Sequence, residues 1–118
     1  MTQCLRGEVW VAYVGAIHGG ESAGTRPVLV VSADNFNEGP LELVVIVPLT
    51  TYDAAIPSHV PVSPPEGGMK KESCVMCEHI RSIHRRHLIM RCGVLSSHTM
   101  IQVDAWLADI FRLRVRPI

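Results

Sequence analysis

Hydrophobic residues along the chain fall into short runs separated by glycine- and proline-bearing breaks, and only the last run repeats at helical spacing. Arg6 to Val14 (RGEVWVAYV) is rich in β-branched and aromatic residues and reads as a strand ending in a turn at Gly15. Gly15 to Thr25 carries four glycines in eleven residues and reads as a mobile loop. Arg26 to Ser32 resumes a strand with Pro27 at its first position, where a missing N–H costs least. Asp34 to Glu38 reads as a helical turn broken by Gly39-Pro40, and Leu41 to Leu49 as a strand buried on both sides or closed into a barrel.

A second loop is expected over Thr50 to Pro57, then a short edge strand over His59 to Val62. Pro64 to Lys71 (PPEGGMKK) reads as turn chemistry without a core. Ser73 to Ile83 reads as one bent strand or two consecutive ones, His84 to Leu88 as a helical turn and Cys92 to Leu95 as a final strand. From Ser97 the period changes. Met100, Val103, Leu107 and Ile110, with Trp106 and Phe111 beside them, give an amphipathic helix of about four turns, capped by Ser96 or Ser97 but without the glutamate of a capping box. Many short strands and one terminal helix predict a mainly β fold: a small curved sheet, or a five-to-seven-stranded β-barrel with the helix plugging one side.

Composition narrows the class. With 118 residues, 47% apolar and 19% charged, the chain is expected to be one domain spanning residues 1–118, with enough apolar surface to offset the entropy of ordering. No run approaches the length of a membrane helix, and the N-terminus does not read as a signal peptide, so a cytoplasmic protein is expected. There Cys4, Cys74, Cys77 and Cys92 are expected to be thiols. Eleven basic and eleven acidic residues cancel, so any surface for a polyanion must come from local clustering.

The blocks RGEVWVAYVG, GTRPVLVVSADNFN, VIVPLTT, IPSHVPV, KKESCVMCEHIRSI and LSSHTMIQVDAWL, in that order, resemble the successive blocks of the MazF/PemK toxins over nearly the whole chain. The resemblance implies an SH3-like β-barrel homodimer of the type shared by MazF and CcdB toxins. It implies a sequence-specific endoribonuclease acting on single-stranded RNA, including mRNA, that is held inactive by a cognate MazE-like antitoxin and needs no metal or other cofactor. The 2′-OH of the RNA is the implied nucleophile, and a 2′,3′-cyclic phosphate and a 5′-OH are the implied products. The family's catalytic arginine falls on Arg26 and its catalytic threonine or serine on Thr50.

The chemistry suits those residue types. Internal attack passes through a phosphorane with extra negative charge, which a guanidinium can grip through two parallel N–H bonds. A hydroxyl at position 50 can donate to the same phosphate or orient the 2′-OH. Arginine is a poor general base, so the candidates for that role are Glu21, His18, His59 and His79. Only Glu21 matches a residue common in the family's loop block. That block reads Gly19-Gly20-Glu21 here, so the usual loop serine is lost unless Ser22 takes over. His79 replaces a usual glutamine, which points to an altered cut-site preference. The expected catalytic set is Arg26, Thr50 and Glu21, and the expected RNA-contacting set is Gly20, Ser22, Thr51, His59, Glu78, His79, Arg81, Arg85 and Arg86.

Cys74-Val-Met-Cys77 has the spacing of a metal or redox pair, but residues three apart in a strand face opposite ways and no second pair completes four ligands, so no metal site is expected. Arg81, His84, Arg85, Arg86 and His87 form a dense basic patch suited to an RNA backbone. Arg112, Arg114 and Arg116 form a second, which the helix dipole alone explains. A different class of function, inhibition of DNA gyrase in the manner of CcdB toxins, would need an aromatic-containing tail. The ending Arg114-Val115-Arg116-Pro117-Ile118 lacks one. A degenerate member that only binds RNA or its antitoxin is the remaining alternative.

Overall fold

The computed structural model describes residues 3–15, 24–51 and 55–114. In chain order the elements are β1 (Glu8–Tyr13), β2 (Thr25–Val30), α1 (Asp34–Asn37), β3 (Leu43–Thr50), β4 (His59–Val62), β5 (Ser73–Met76), β6 (Arg81–His84), β7 (Leu88–Val94) and α2 (Ser97–Phe111), with 3-10 turns at Glu66–Gly68, Cys77–His79 and Arg85–His87. The strands form one antiparallel sheet in the order β4-β5-β3-β2-β1-β7, with β6 also paired to β3. The fold is mainly β, as expected. The sheet is not a closed barrel: β4 and β7 are its two ends, and no rung joins them among the described residues.

Residues 73–83 resolve into two strands because the 3-10 turn at Cys77–His79 breaks them. The two halves pair with one edge of β3 in succession: β6 with Leu43–Ile46, β5 with Leu49–Thr50. Pro48, which has no N–H to give a ladder, sits in the interval where β3 leaves one partner for the next. The last strand begins at Leu88, four residues before the start expected from the sequence, because exposed Ile89, Met90 and Arg91 obscure its alternation.

Both faces of the sheet carry a core, which explains why the central strands are apolar without alternation. On one face Val9, Leu29, Val47, Leu49, Val60, Val62 and Val75 meet Met100 and Val103 of α2. On the other, Trp10, Ala12, Val28, Val30, Val44, Ile46 and Ile83 pack together. Leu29 and Ile46 are fully buried, each stabilising the fold by about 1.5–3 kcal/mol.

The Pro64 to Lys71 segment does have a core contact, contrary to the sequence reading. Gly67 is buried against Val9 and Leu95, and with Gly68 it lies flat on the backbone of Gly93 in β7. Close approach of two backbones leaves no apolar side chain for a pattern to reveal. The same turn carries Glu66, whose carboxylate accepts the Ser96 N–H at 2.9 Å while Ser96 Oγ accepts the Thr99 N–H at 3.2 Å. The glutamate missing from the local capping box is thus supplied from 30 residues away. At its other end α2 closes on Arg112 in the left-handed region, with the Leu113 N–H donating to the Ala108 carbonyl at 2.7 Å.

Candidate active site

Strand register assembles the site. The β2–β3 ladder pairs Val28 with Pro48, Leu29 with Val47 and Val30 with Ile46. Continued by two residues, the same register brings Arg26 level with Thr50. Thr50 in turn pairs with Cys74 of β5, and Cys74 with Pro61 of β4. Residues that pair directly point to one side of a sheet, so Thr50, Cys74 and Pro61 form one row across three strands on the face away from α2, and Arg26, two residues along β2 from Val28, points to the same side.

A cleft of about 240 Å³ opens at the β2–β3 end of the row, lined by Thr25, Arg26, Pro27, Leu49, Thr50, Thr51 and Ser73. It lies where the strands run beyond the Val28–Pro48 rung, and both Pro27 and Pro48 lack the N–H that would tie them. The strand starts at Thr25, so Pro27 is its third residue rather than its first. Arg26 and Thr50 are half-buried, so each side chain is held by its surroundings while it faces the opening.

A second hollow of about 420 Å³ continues the first, sharing Thr51 and Ser73 and adding Ile56, Pro57, His59, Pro61, Glu72 and Cys74. The two make one groove. His59, with 6% of its side chain exposed, has both ring nitrogens engaged: Nε2 lies 2.5 Å from Glu78 Oε2, and Nδ1 faces Cys74 Sγ at 3.6 Å. Ser58 Oγ donates to the other Glu78 oxygen at 2.5 Å. Burial by itself would raise the Glu78 carboxyl, but the hydrogen bonds from Ser58, its own backbone and His59 outweigh it and hold the group below the ordinary carboxylate range. This network leaves His59 poorly suited to be a general base at the Thr50 cleft.

The expected site residues therefore divide. Arg26, Thr50 and Thr51 line the first hollow, and His59 lines the second, with Glu78 behind it and His79 Nε2 3.7 Å from the same Glu78 oxygen. The basic patch lies elsewhere. Arg81 pairs with Ile46, about 13 Å along β3 from Thr50, and His84 with Leu43, about 23 Å away. Arg81 donates to the Val14 carbonyl at 3.0 Å, and Arg85 donates to the Asn37 carbonyl, securing α1. Arg85 and Arg86 thus follow the far end of β6, because the sheet carries its C-terminal end away from Thr50. Gly20, Glu21, Ser22 and His18 lie outside the described residues.

Ser58, Ser73 and Cys74 were not among the candidates. The pairing of Thr50 with Cys74 is the signal that finds the thiol, and it requires knowing which strands are neighbours. No group of three or more possible metal ligands occurs among the described residues. No helix there is long and apolar enough to cross a membrane.

Known proteins resemble this chain in sequence and in fold. Residues 5–111 match the family model described as the PemK-like, MazF-like toxin of type II toxin–antitoxin systems. The chain is 31% identical over 100 residues to a Staphylococcus epidermidis protein named endoribonuclease MazF, covering 84% of this chain and 83% of that protein. Its structure resembles that of a mycobacterial endoribonuclease solved in complex with its cognate antitoxin (TM-score 0.76, 25% identity, covering 98% of this chain and all of that one). It also shares the fold of MazF from Deinococcus radiodurans (TM-score 0.78, 21% identity, 96% and 100% covered). The chain belongs to the PemK-like, MazF-like toxins of type II toxin–antitoxin systems.

Proposed function

We propose that the protein is the endoribonuclease toxin of such a module, cleaving single-stranded RNA in the groove that runs from Arg26 to His59. The observation that supports this most is the register that sets a guanidinium and a hydroxyl on facing strands at the mouth of a cleft. The 2′-OH attacks the adjacent phosphorus, the bond to the 5′ oxygen breaks, and a 2′,3′-cyclic phosphate and a 5′-OH remain. Arg26 holds the negative charge that builds on the non-bridging oxygens, and Thr50 donates to the same phosphate. One such donor in a preorganised site contributes about 10²–10³ in rate. Glu21 is the proposed proton acceptor for the 2′-OH.

Thr51, Glu78 and His79, together with Gly20 and Ser22, are proposed to set which bases are accepted, since single-stranded RNA is read through splayed bases. Arg81, Arg85 and Arg86 are at most distant contacts for its backbone. The proposed setting is the cytoplasm, and the proposed partners are RNA, an antitoxin occupying the groove and a second copy of the chain. Exposed Ile89, Met90 and Val94 along the sheet-edge strand β7 favour the second copy.

Incubation of the purified protein with a long mixed-sequence RNA in EDTA, followed by mapping of the ends, tests the reading. Cleavage with cyclic-phosphate ends is expected from the wild type, and a loss of at least about 10² from Arg26→Ala with fold intact. Equal cleavage by the two proteins would remove Arg26 from the mechanism.

A further inference from the structure

The cleavage scheme leaves one group in the row unused. Cys74 sits directly across from Thr50, and across the β4–β5 ladder it lies diagonal to His59, since its partner is Pro61. Its sulfur is 3.6 Å from His59 Nδ1, and His59 Nε2 is 2.5 Å from the carboxylate of Glu78, which Ser58 fixes in turn. A carboxylate at Nε2 keeps the proton on that nitrogen, so Nδ1 presents its lone pair to the thiol. A thiol, an imidazole acceptor and an orienting carboxylate in sequence are what activates a sulfur nucleophile. Both Cys74 and His59 line the 420 Å³ hollow, but Cys74 is only 5% exposed, so the pair is reached only by a reagent small enough to enter the groove.

The remaining cysteines differ. Burial pushes the Cys77 thiol up to about 12 and raises that of Cys4. Cys92 is half-exposed, and its thiol donates to the Met90 carbonyl at 3.8 Å.

We propose that Cys74 is a modification site, a thiol activated by His59 and Glu78 that hydroperoxides oxidise and a small thiol then caps, closing the groove beside Thr50. In the first step the thiol proton passes to His59 Nδ1 and the sulfur attacks one peroxide oxygen. The O–O bond breaks and the departing hydroxide, or the alkoxide of an organic hydroperoxide, takes up the proton and leaves as water or an alcohol. The sulfur has lost two electrons and the peroxide has gained them. In the second step the small thiol attacks the sulfenic sulfur, the S–O bond breaks with loss of water, and a mixed disulfide forms that a dithiol can reverse. The capped side chain fills the hollow next to the row that carries the reaction. Closure of the groove rests on the RNA-cleavage reading, whereas the thiol chemistry does not.

The test exposes wild type, Cys74→Ser and His59→Ala to hydrogen peroxide and glutathione and measures occupancy of each cysteine by mass spectrometry, with Cys92 as internal reference. An ordinary thiol is only a few per cent thiolate at neutral pH, so Cys74 in the wild type is expected to be capped about ten-fold faster than Cys92 or more. In His59→Ala the Cys74 rate should fall to that of Cys92 or below while Cys92 keeps its own rate, which excludes general unfolding. Slower capping of Cys74 than of Cys92 in the wild type, or no change in His59→Ala, overturns the proposal. Cleavage by capped wild type should drop at least about ten-fold and return with dithiothreitol, and Cys74→Ser should cleave equally with and without peroxide. Full cleavage by fully capped protein overturns the closure. Failure of untreated wild type to cleave RNA would sink the RNA reading alone, and the mass spectrum would still decide the thiol.

Discussion

Replacing Gly93 by alanine adds one methyl group where the backbone of β7 meets the Gly67-Gly68 turn. A Cβ at position 93 would lie 2.6 Å from the Gly67 carbonyl carbon and 2.7 Å from the Gly68 nitrogen, closer than real Cβ atoms come, and both neighbours are main chain that cannot rotate away. The turn must shift. Inserting a methyl into a filled contact costs about 1–3 kcal/mol. Shifting the turn also withdraws Glu66 from the Ser96 N–H at the start of α2, a capping contact worth about 0.5–2 kcal/mol. The sum is about 1.5–5 kcal/mol, which for a chain of this size lowers the melting temperature by on the order of 10 °C. Thermal and urea unfolding followed by far-UV circular dichroism measures it. A melting temperature within about 2 °C of wild type with an unchanged urea slope would refute the reasoning, since it would mean that the turn yields freely. Because this contact faces α2, the folded fraction of Gly93→Ala is expected to keep the wild-type preference among RNA cut sites.

Glu8 accepts the Leu5 N–H and the Trp10 indole N–H and pairs with Arg91 at 2.6 Å, and these contacts outweigh burial to hold its carboxyl low, as they do for Glu66 and Glu78. Depressed carboxyl groups stabilise the fold fully above about pH 4.5 and lose that contribution as pH falls through their folded values; Trp fluorescence during urea unfolding should show the midpoint flat above that pH and falling below it. Arg112→Gly removes a side chain from a left-handed position at φ 56° and should stabilise the fold by about 0.5–1 kcal/mol in the same assay; a loss of stability would show that the arginine side chain matters more than its backbone. Thr50→Val keeps the shape and removes the hydroxyl, so the cleavage rate of the folded protein should fall at least about ten-fold, and an unchanged rate would exclude the hydroxyl from the reaction.

The strands were legible where apolar residues alternate or run together, as in Glu8–Tyr13 and Leu43–Thr50, and α2 where they repeat at helical spacing. Contacts made by glycine backbones were not, because Gly67, Gly68 and Gly93 offer no side chain to a pattern. The choice between a curved sheet and a closed barrel was not legible for a related reason: it depends on whether β4 and β7 meet, and nothing in either strand's own residues states its neighbour. Arg26 and Thr50 were named from the family blocks, but their facing positions, and the presence of Cys74 beside them, come from register. The basic patch over 81–87 is conspicuous in sequence, yet β6 follows the opposite half of β3 and takes its later members away from the groove.

The backbones that carry Thr50 and Cys74 are a hydrogen-bonded pair and so stand about 4.8 Å apart, while Arg26 rises from the strand on the other side of β3. That interval is a property of the peptide group and does not change with the loops. Connections on either side of the row can lengthen, shorten or change composition while the paired residues keep their spacing. A slip of β3 by one residue, by contrast, would turn Thr50 to the opposite surface in one step. The loops can therefore change without moving the row, because the row is tied to the pleat.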